Sequence, residues 1–201
     1  TYNLINSWSD VTLEKWILLI DLEAGSKTKE AEETIATLSD IPRKLIKELS
    51  IRDVAIIMKK LSELQNRQDT VLTKVIEIDG IEYGMHPNLD DITLGEYADI
   101  ETFIKGGLEK NMPELMSVLF RPVIERKNEV YTIAAYDGDI TIRAETMKKM
   151  SAEQVQSTLF FFYNFVIGFS KIMPSFLIEQ TQEKVKQLQT ETLQNAGVGS
   201  V

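Results

Sequence analysis

The chain has 201 residues, 43% of them hydrophobic and 26% charged, with a net charge of −9. A chain of this length folds as one domain or two small ones, burying roughly 70% of its unfolded surface, and its composition argues against wholesale disorder. The excess of 31 acidic over 22 basic residues disfavours a generic grip on nucleic acid. The absence of cysteine excludes disulfides, thiolate zinc sites, iron–sulfur ligation and cysteine nucleophiles, and fits a reducing compartment.

Charge is unevenly spread. Arg43 to Lys74 holds eight basic and four acidic residues, whereas Val75 to Glu114 holds ten acidic and two basic. Such polarity can steer a partner or align copies of the chain; solvated helix faces and loops are the plainer explanation. Thr1 to Asp10 lacks the basic start and apolar run of a secretory signal, and Thr1 in place of Met is expected from processing or trimming. The apolar run Leu159 to Phe169 is too short to span a bilayer and contains Asn164 and Gly168, so it is expected to be a buried helix.

In chain order, Thr12 caps a helix running to about Glu23, ended by Ala24-Gly25-Ser26. A second helix runs from about Thr28 to Leu38, and Pro42 opens a short third ending near Leu49. Ser50 with Asp53 starts a longer helix through about Asn66. Val71 to Ile78 alternates and is β-branched, Asp79-Gly80 is a two-residue hairpin turn, and Ile81 to Met85 returns.

Thr93 with Glu96 is a capping box opening a helix of about Leu94 to Lys105, stopped by Gly106-Gly107. A helix from Pro113 to Phe120 is ended by Arg121-Pro122. Val130 to Ala135 reads as a strand, Asp137-Gly138-Asp139 as a turn and Ile140 to Met150 as helical. Ser151 with Gln154 opens an aromatic helix from Ala152 to about Met173, and Pro174 restarts a final helix to about Leu193, followed by a flexible tail from Asn195. In the final helix Ile178, Thr181, Val185, Leu188 and Thr192 lie on a heptad-like seam, which suits packing along a neighbour or projecting from the body.

One device occurs twice. Ser9 to Trp16 matches Asp90 to Tyr97 position by position: acid, β-branched residue, Thr cap, Leu, and an aromatic four residues after the cap. The Thr satisfies exposed amides, the acids favour the positive end of the helix dipole, and Val11 and Ile92 are placed to staple against Trp16 and Tyr97. Two well-capped amphipathic helices account for the match; a duplication or a pair of docking helices also fits it.

Catalytic signatures are missing. His86 is the only histidine and sits in Met85-His86-Pro87 after the hairpin, where it reads as a loop-packing residue. Phosphate-cradling and zinc-hydrolase motifs are absent from the sequence. Asp90, Asp91, Glu96, Asp99 and Glu101 form an acidic group, but not with the spacing of an EF-hand loop. The helix from Ala152 is apolar all round, as a central core helix would be, with enough aromatic surface left over for a subunit interface.

The run Ile78-Asp79-Gly80-Ile81-Glu82-Tyr83-Gly84, then Leu94-Gly95-Glu96-Tyr97-Ala98-Asp99-Ile100-Glu101, then Leu119-Phe120-Arg121-Pro122-Val123, resembles tailed-bacteriophage morphogenesis proteins of crAss-like and related gut phages. Trp8-Ser9-Asp10-Val11-Thr12-Leu13 and the late aromatic helix fit the same pattern, so the resemblance covers about three-quarters of the chain through motifs that are structural rather than catalytic. It implies a non-enzymatic virion protein, a cargo or head–tail structural component, located in the virion and in the host cytoplasm during assembly. The alternative it implies is a cytoplasmic tail-assembly chaperone shielding a tape-measure protein. A metal-dependent phage enzyme is a third reading, kept open by the acids alone.

The fold expected is mainly α, of α+β type: a helical domain with a small β-hairpin and a long C-terminal helix. Its regions are 1–70 (helical), 71–87 (hairpin), 88–173 (acidic and aromatic helices) and 174–201 (helix and tail). No catalytic, cofactor-binding or metal-ligating residue is assigned and no cofactor is expected. Trp16, Tyr97, Phe161, Phe165, Ile178, Val185 and Leu188 are the interaction candidates. The expected partners are other phage structural proteins of the portal, tail or tape-measure class and further copies of the chain, with neither membrane nor direct nucleic-acid binding.

Overall fold

A computed structural model describes residues 2–20, 22, 26–65 and 71–169, without the side chains of 65 and 166–169. Within these the chain forms helices α1 (Leu13–Ile20), α2 (Lys27–Leu38), α3 (Arg43–Ile46), α4 (Ile51–Gln65), α5 (Leu94–Lys105), α6 (Met112–Leu119), α7 (Thr141–Met147) and α8 (Ala152–Phe169). Four strands accompany them: β1 (Val75–Ile78), β2 (Ile81–Met85), β3 (Phe120–Lys127) and β4 (Val130–Ile133). The class is α+β, as the element pattern predicts. The final helix expected from Pro174, with its seam residues Ile178, Val185 and Leu188, lies outside the described residues.

The strands form one antiparallel sheet in the order β1-β2-β3-β4. Asp79 and Gly80 turn the first hairpin with φ of 53° and 78°, positive at both positions as a tight two-residue loop requires. The hairpin is therefore half of a larger sheet rather than a small unit by itself. Arg121-Pro122 predicts a helix stop, but the chain passes straight into β3, which starts directly after α6 with no turn residue between them. Pro122 lacks an N–H, yet it fits the ladder because only its carbonyl is used there, accepting from Ala134 N at 2.9 Å. A register shift between Val123 and Glu125 then bulges the strand at Ile124.

Gly84 of β2 lets the Tyr131 ring lie directly on the strand. A Cβ at Gly84 would stand 2.5 Å from Tyr131 Cε2, and the Tyr131 hydroxyl donates to Met85 O at 2.8 Å. The other face of the sheet carries the buried Ile76, Ile78, Tyr83, Met85 and Phe120 into the core.

The helix buried all round is α6, not the aromatic α8 that its composition suggested. Met112, Pro113 and every residue from Leu115 to Leu119 are buried in α6. In α8 Ala152, Val155, Ser157, Thr158, Leu159 and Phe162 are buried, while Phe160 and Phe161 face outward. Met85, Met112, Met116, Met147 and Met150 all lie in the core, where unbranched thioethers fill the irregular gaps between sheet and helices.

Caps define most helix starts. Thr93 and Glu96 form a reciprocal box at α5, and Ser151 and Gln154 do the same at α8, with Gln154 N donating to Ser151 Oγ and Ser151 N to Gln154 Oε1. Thr12 and Ser151 also face each other in an isolated antiparallel bridge. Leu13 N donates to Met150 O, and Ala152 N donates to Val11 O, both at 2.7 Å. The first amides of α1 and α8, orphaned in an isolated helix, thus satisfy one another's flanking carbonyls.

Candidate functional site

Among the described residues, a buried group of ionisable side chains sits where the end of β2, the first turn of α5 and the start of β3 converge. Glu96 is placed there by its capping box: Thr93 N and Thr93 Oγ1 donate to Glu96 Oε2 at 2.8 and 2.6 Å. Its other oxygen, Oε1, has Arg121 Nη2 at 2.8 Å and His86 Nε2 at 3.7 Å, a charge contact rather than an aligned hydrogen bond. Glu96 and Arg121 are buried and His86 is nearly so.

Burial opposes ionisation of Glu96, but the Thr93 hydrogen bonds and the nearby Arg121 and His86 more than offset it, so its carboxyl titrates below the usual range. Burial pushes the His86 imidazole down, against the pull of Glu96 and with the help of Arg121. Burial also lowers Arg121, with Glu96 opposing.

A second layer surrounds Arg121. Its guanidinium lies 5.8 Å from the centroid of the Tyr136 ring, and the Tyr136 hydroxyl donates to Asp99. Burial, together with Asp99, holds that phenol far above its ordinary value. Beyond it, Asp137 receives both terminal nitrogens of Arg143, at 2.9 and 3.3 Å, and accepts from Asp139 N in the turn that the sequence signalled.

The cluster therefore ties β2, α5, β3, the chain after β4 and α7 together. Its ion pairs join these elements, while the buried Nε atoms of Arg121 and Arg143 have no hydrogen-bond partner among the described residues. The acidic group read from the sequence is dispersed: Asp90 and Asp91 are exposed, Glu96 is in the cluster, Asp99 meets Tyr136, and Glu101 pairs with Lys105 at 2.6 Å. Among the described residues no group of three or more His, Asp or Glu is placed to hold a metal ion. An open cleft of about 370 Å³ lies elsewhere, lined by Leu72 to Val75, Arg126, Glu129 and Tyr131. No helix among the described residues is long and apolar enough to cross a membrane.

The interaction candidates fall in different settings. Trp16 is 2% exposed and packs in the core, leaving no ring surface for a partner. Tyr97 is half-buried on α5. Phe161 is exposed, and Phe165 is half-buried with its ring centroid 6.3 Å from that of the core residue Phe162. Ile178, Val185 and Leu188 lie outside the described residues.

The Glu96–Arg121 pair was missed in the sequence because each residue already had a local explanation, one as a cap and the other as a helix stop. Its signal was Arg121 alone within Ser117-Val118-Leu119-Phe120-Arg121-Pro122-Val123, since a charge inside an apolar run needs a buried counter-charge. No family model, curated protein or solved structure matches the chain.

Proposed function

We propose that the chain is a non-enzymatic virion protein of a tailed bacteriophage, a cargo or head–tail component that works by packing against other phage structural proteins. The observation that carries the reading is the outer face of α8, where Phe160 and Phe161 remain 47% and 43% exposed. Asn164 lies between them in helical angle. Aromatic rings are costly to leave in water and are favoured anchors of protein interfaces.

The resemblance of the hairpin, the α5 start and the Leu119 to Val123 run to phage morphogenesis proteins also supports an assembly role. The partners are of the portal, tail or tape-measure class, met in the host cytoplasm and retained in the particle.

Mass spectrometry of purified particles tests the proposal. Stoichiometric presence supports it, while absence from particles together with co-purification on the tape-measure protein would replace it with the chaperone role. Phe160→Asp with Phe161→Asp is expected to abolish incorporation while leaving thermal unfolding cooperative.

A further inference from the structure

The two copies of the acid–β-branched–Thr–Leu motif meet different fates. In the first, Leu13 is fully buried beneath the α8 cap segment. In the second, Leu94 occupies the matching position at the start of α5 and is 84% exposed, flanked by the exposed Asp90 and Asp91. The chain thus carries an uncovered leucine in an acidic setting.

A surface of the opposite kind lies on α4. Arg52, Ile56, Lys59 and Lys60 all face solvent, with Ile56 48% exposed, and helical spacing sets them on one arc. Glu63 shares that arc and Asp53 borders it, so the face is net basic by one to two charges. Among the described residues neither Arg52, Lys59 nor Lys60 has an ion-pair partner, unlike the neighbouring Arg43 and Lys47, which pair with Glu33 and Glu32.

We infer that the α4 face of one copy docks on the Asp90–Leu94 corner of the next, so that the chain self-associates head to tail. The corner offers an exposed leucine beside two acids, and the α4 face an exposed isoleucine among three bases and Glu63, so the net charges of the two patches are opposite. Complementary patches of this kind set register and partner choice. The two surfaces are different, so the contact is heterologous and propagates into a ring or filament rather than stopping at a twofold dimer. The net charge of −9 repels copies at long range. At ~0.1 M salt the Debye length is about 10 Å, so the facing patches decide the outcome.

Size-exclusion chromatography with light scattering at that ionic strength, over a concentration series, tests the inference. The wild-type mass is expected to exceed the monomer value of 22.9 kDa and to rise with concentration. Asp90→Lys with Leu94→Lys, and separately Lys59→Glu with Lys60→Glu, are each expected to stay at monomer mass, because like charges then face one another. An equimolar mixture of the two variants is expected to associate again. Leu94→Gln, which leaves every charge in place, is expected to weaken association severalfold. A wild type that is monomeric throughout, variants that associate alone, or a mixture that stays monomeric would each overturn the head-to-tail pairing. None of these results bears on whether the chain is incorporated into particles, so this inference and the proposed function fail separately.

Discussion

Arg121 Nη2 stands 2.8 Å from Glu96 Oε1, and both side chains are closed to solvent. The pair joins the first turn of a helix to the first residues of a strand, with His86 at its side. Breaking such a pair costs more than the pair contributes, because the charge left behind has been stripped of water.

Arg121→Met is accordingly expected to destabilise the protein by about 3–5 kcal/mol, since it abandons Glu96 in the interior. Adding Glu96→Gln to it is expected to recover part of that loss, because the amide keeps a hydrogen-bonding oxygen toward Thr93 without the charge. Urea unfolding of the two single variants and the double variant measures the coupling. Strict additivity would show that the two residues do not act as a pair.

Stability is expected to fall on acidification in two stages. His86 titrates lower in the folded chain than in the unfolded one, so the unfolded state binds the proton first and stability declines from about pH 6.5 downward. Glu96 is also held below its ordinary value of 4.5, so its contribution is present above that pH and is lost as pH falls toward and through the folded value. His86→Gln is expected to flatten the upper stage and leave the lower one. Thermal melts across pH 3–8 measure both; an unchanged slope below pH 6.5 in the variant would rule out His86 as the titrating group.

Gly84→Ala is expected to cost about 1–3 kcal/mol through overpacking, because the new methyl meets the Tyr131 ring and forces its hydroxyl from Met85 O. Combining it with Tyr131→Ala is expected to cost less than the sum of the two separate changes. A double-mutant cycle by denaturant unfolding reads this directly.

Proline at the first position of a helix is ordinarily harmless, since the amide it removes has no partner. Ala152 is an exception because its N–H donates to Val11 O. Ala152→Pro is therefore expected to destabilise by about 1–3 kcal/mol. Leu94→Pro, at the same position of α5 but exposed, is expected to change stability by about 0.5 kcal/mol or less. Equal effects from the two substitutions would show that the bridge contributes nothing.

Local signals were the legible part of this fold. The Ser50, Thr93 and Ser151 starts, the Asp79-Gly80 hairpin and the helix from Leu94 to Lys105 were all readable because each depends on residues within a few positions of one another. β3 was not readable, since Phe120 to Lys127 lacks alternation, contains Pro122 and becomes a strand only by pairing with β2 and β4. Composition also misassigned the central helix: α8 has the aromatics, but α6 has neighbours on every side, and enclosure is a property of the tertiary arrangement. Of the ionic cluster only Arg121 was legible, as a charge inside an apolar run; its partners His86 and Glu96 meet it only after three elements have packed.

The reciprocal bridge between Thr12 and Ser151 places constraints on the order of events during synthesis. The start of α1 is synthesised long before α8, yet its leading amide finds its acceptor only at Met150. Until then α1 has α2 beside it but not α8, and the nascent chain presents the uncovered part of its apolar face to whatever binds exposed apolar residues. Closure across so long a stretch of chain is a slow, high-contact-order step, which makes seating of the first helix a late event in folding.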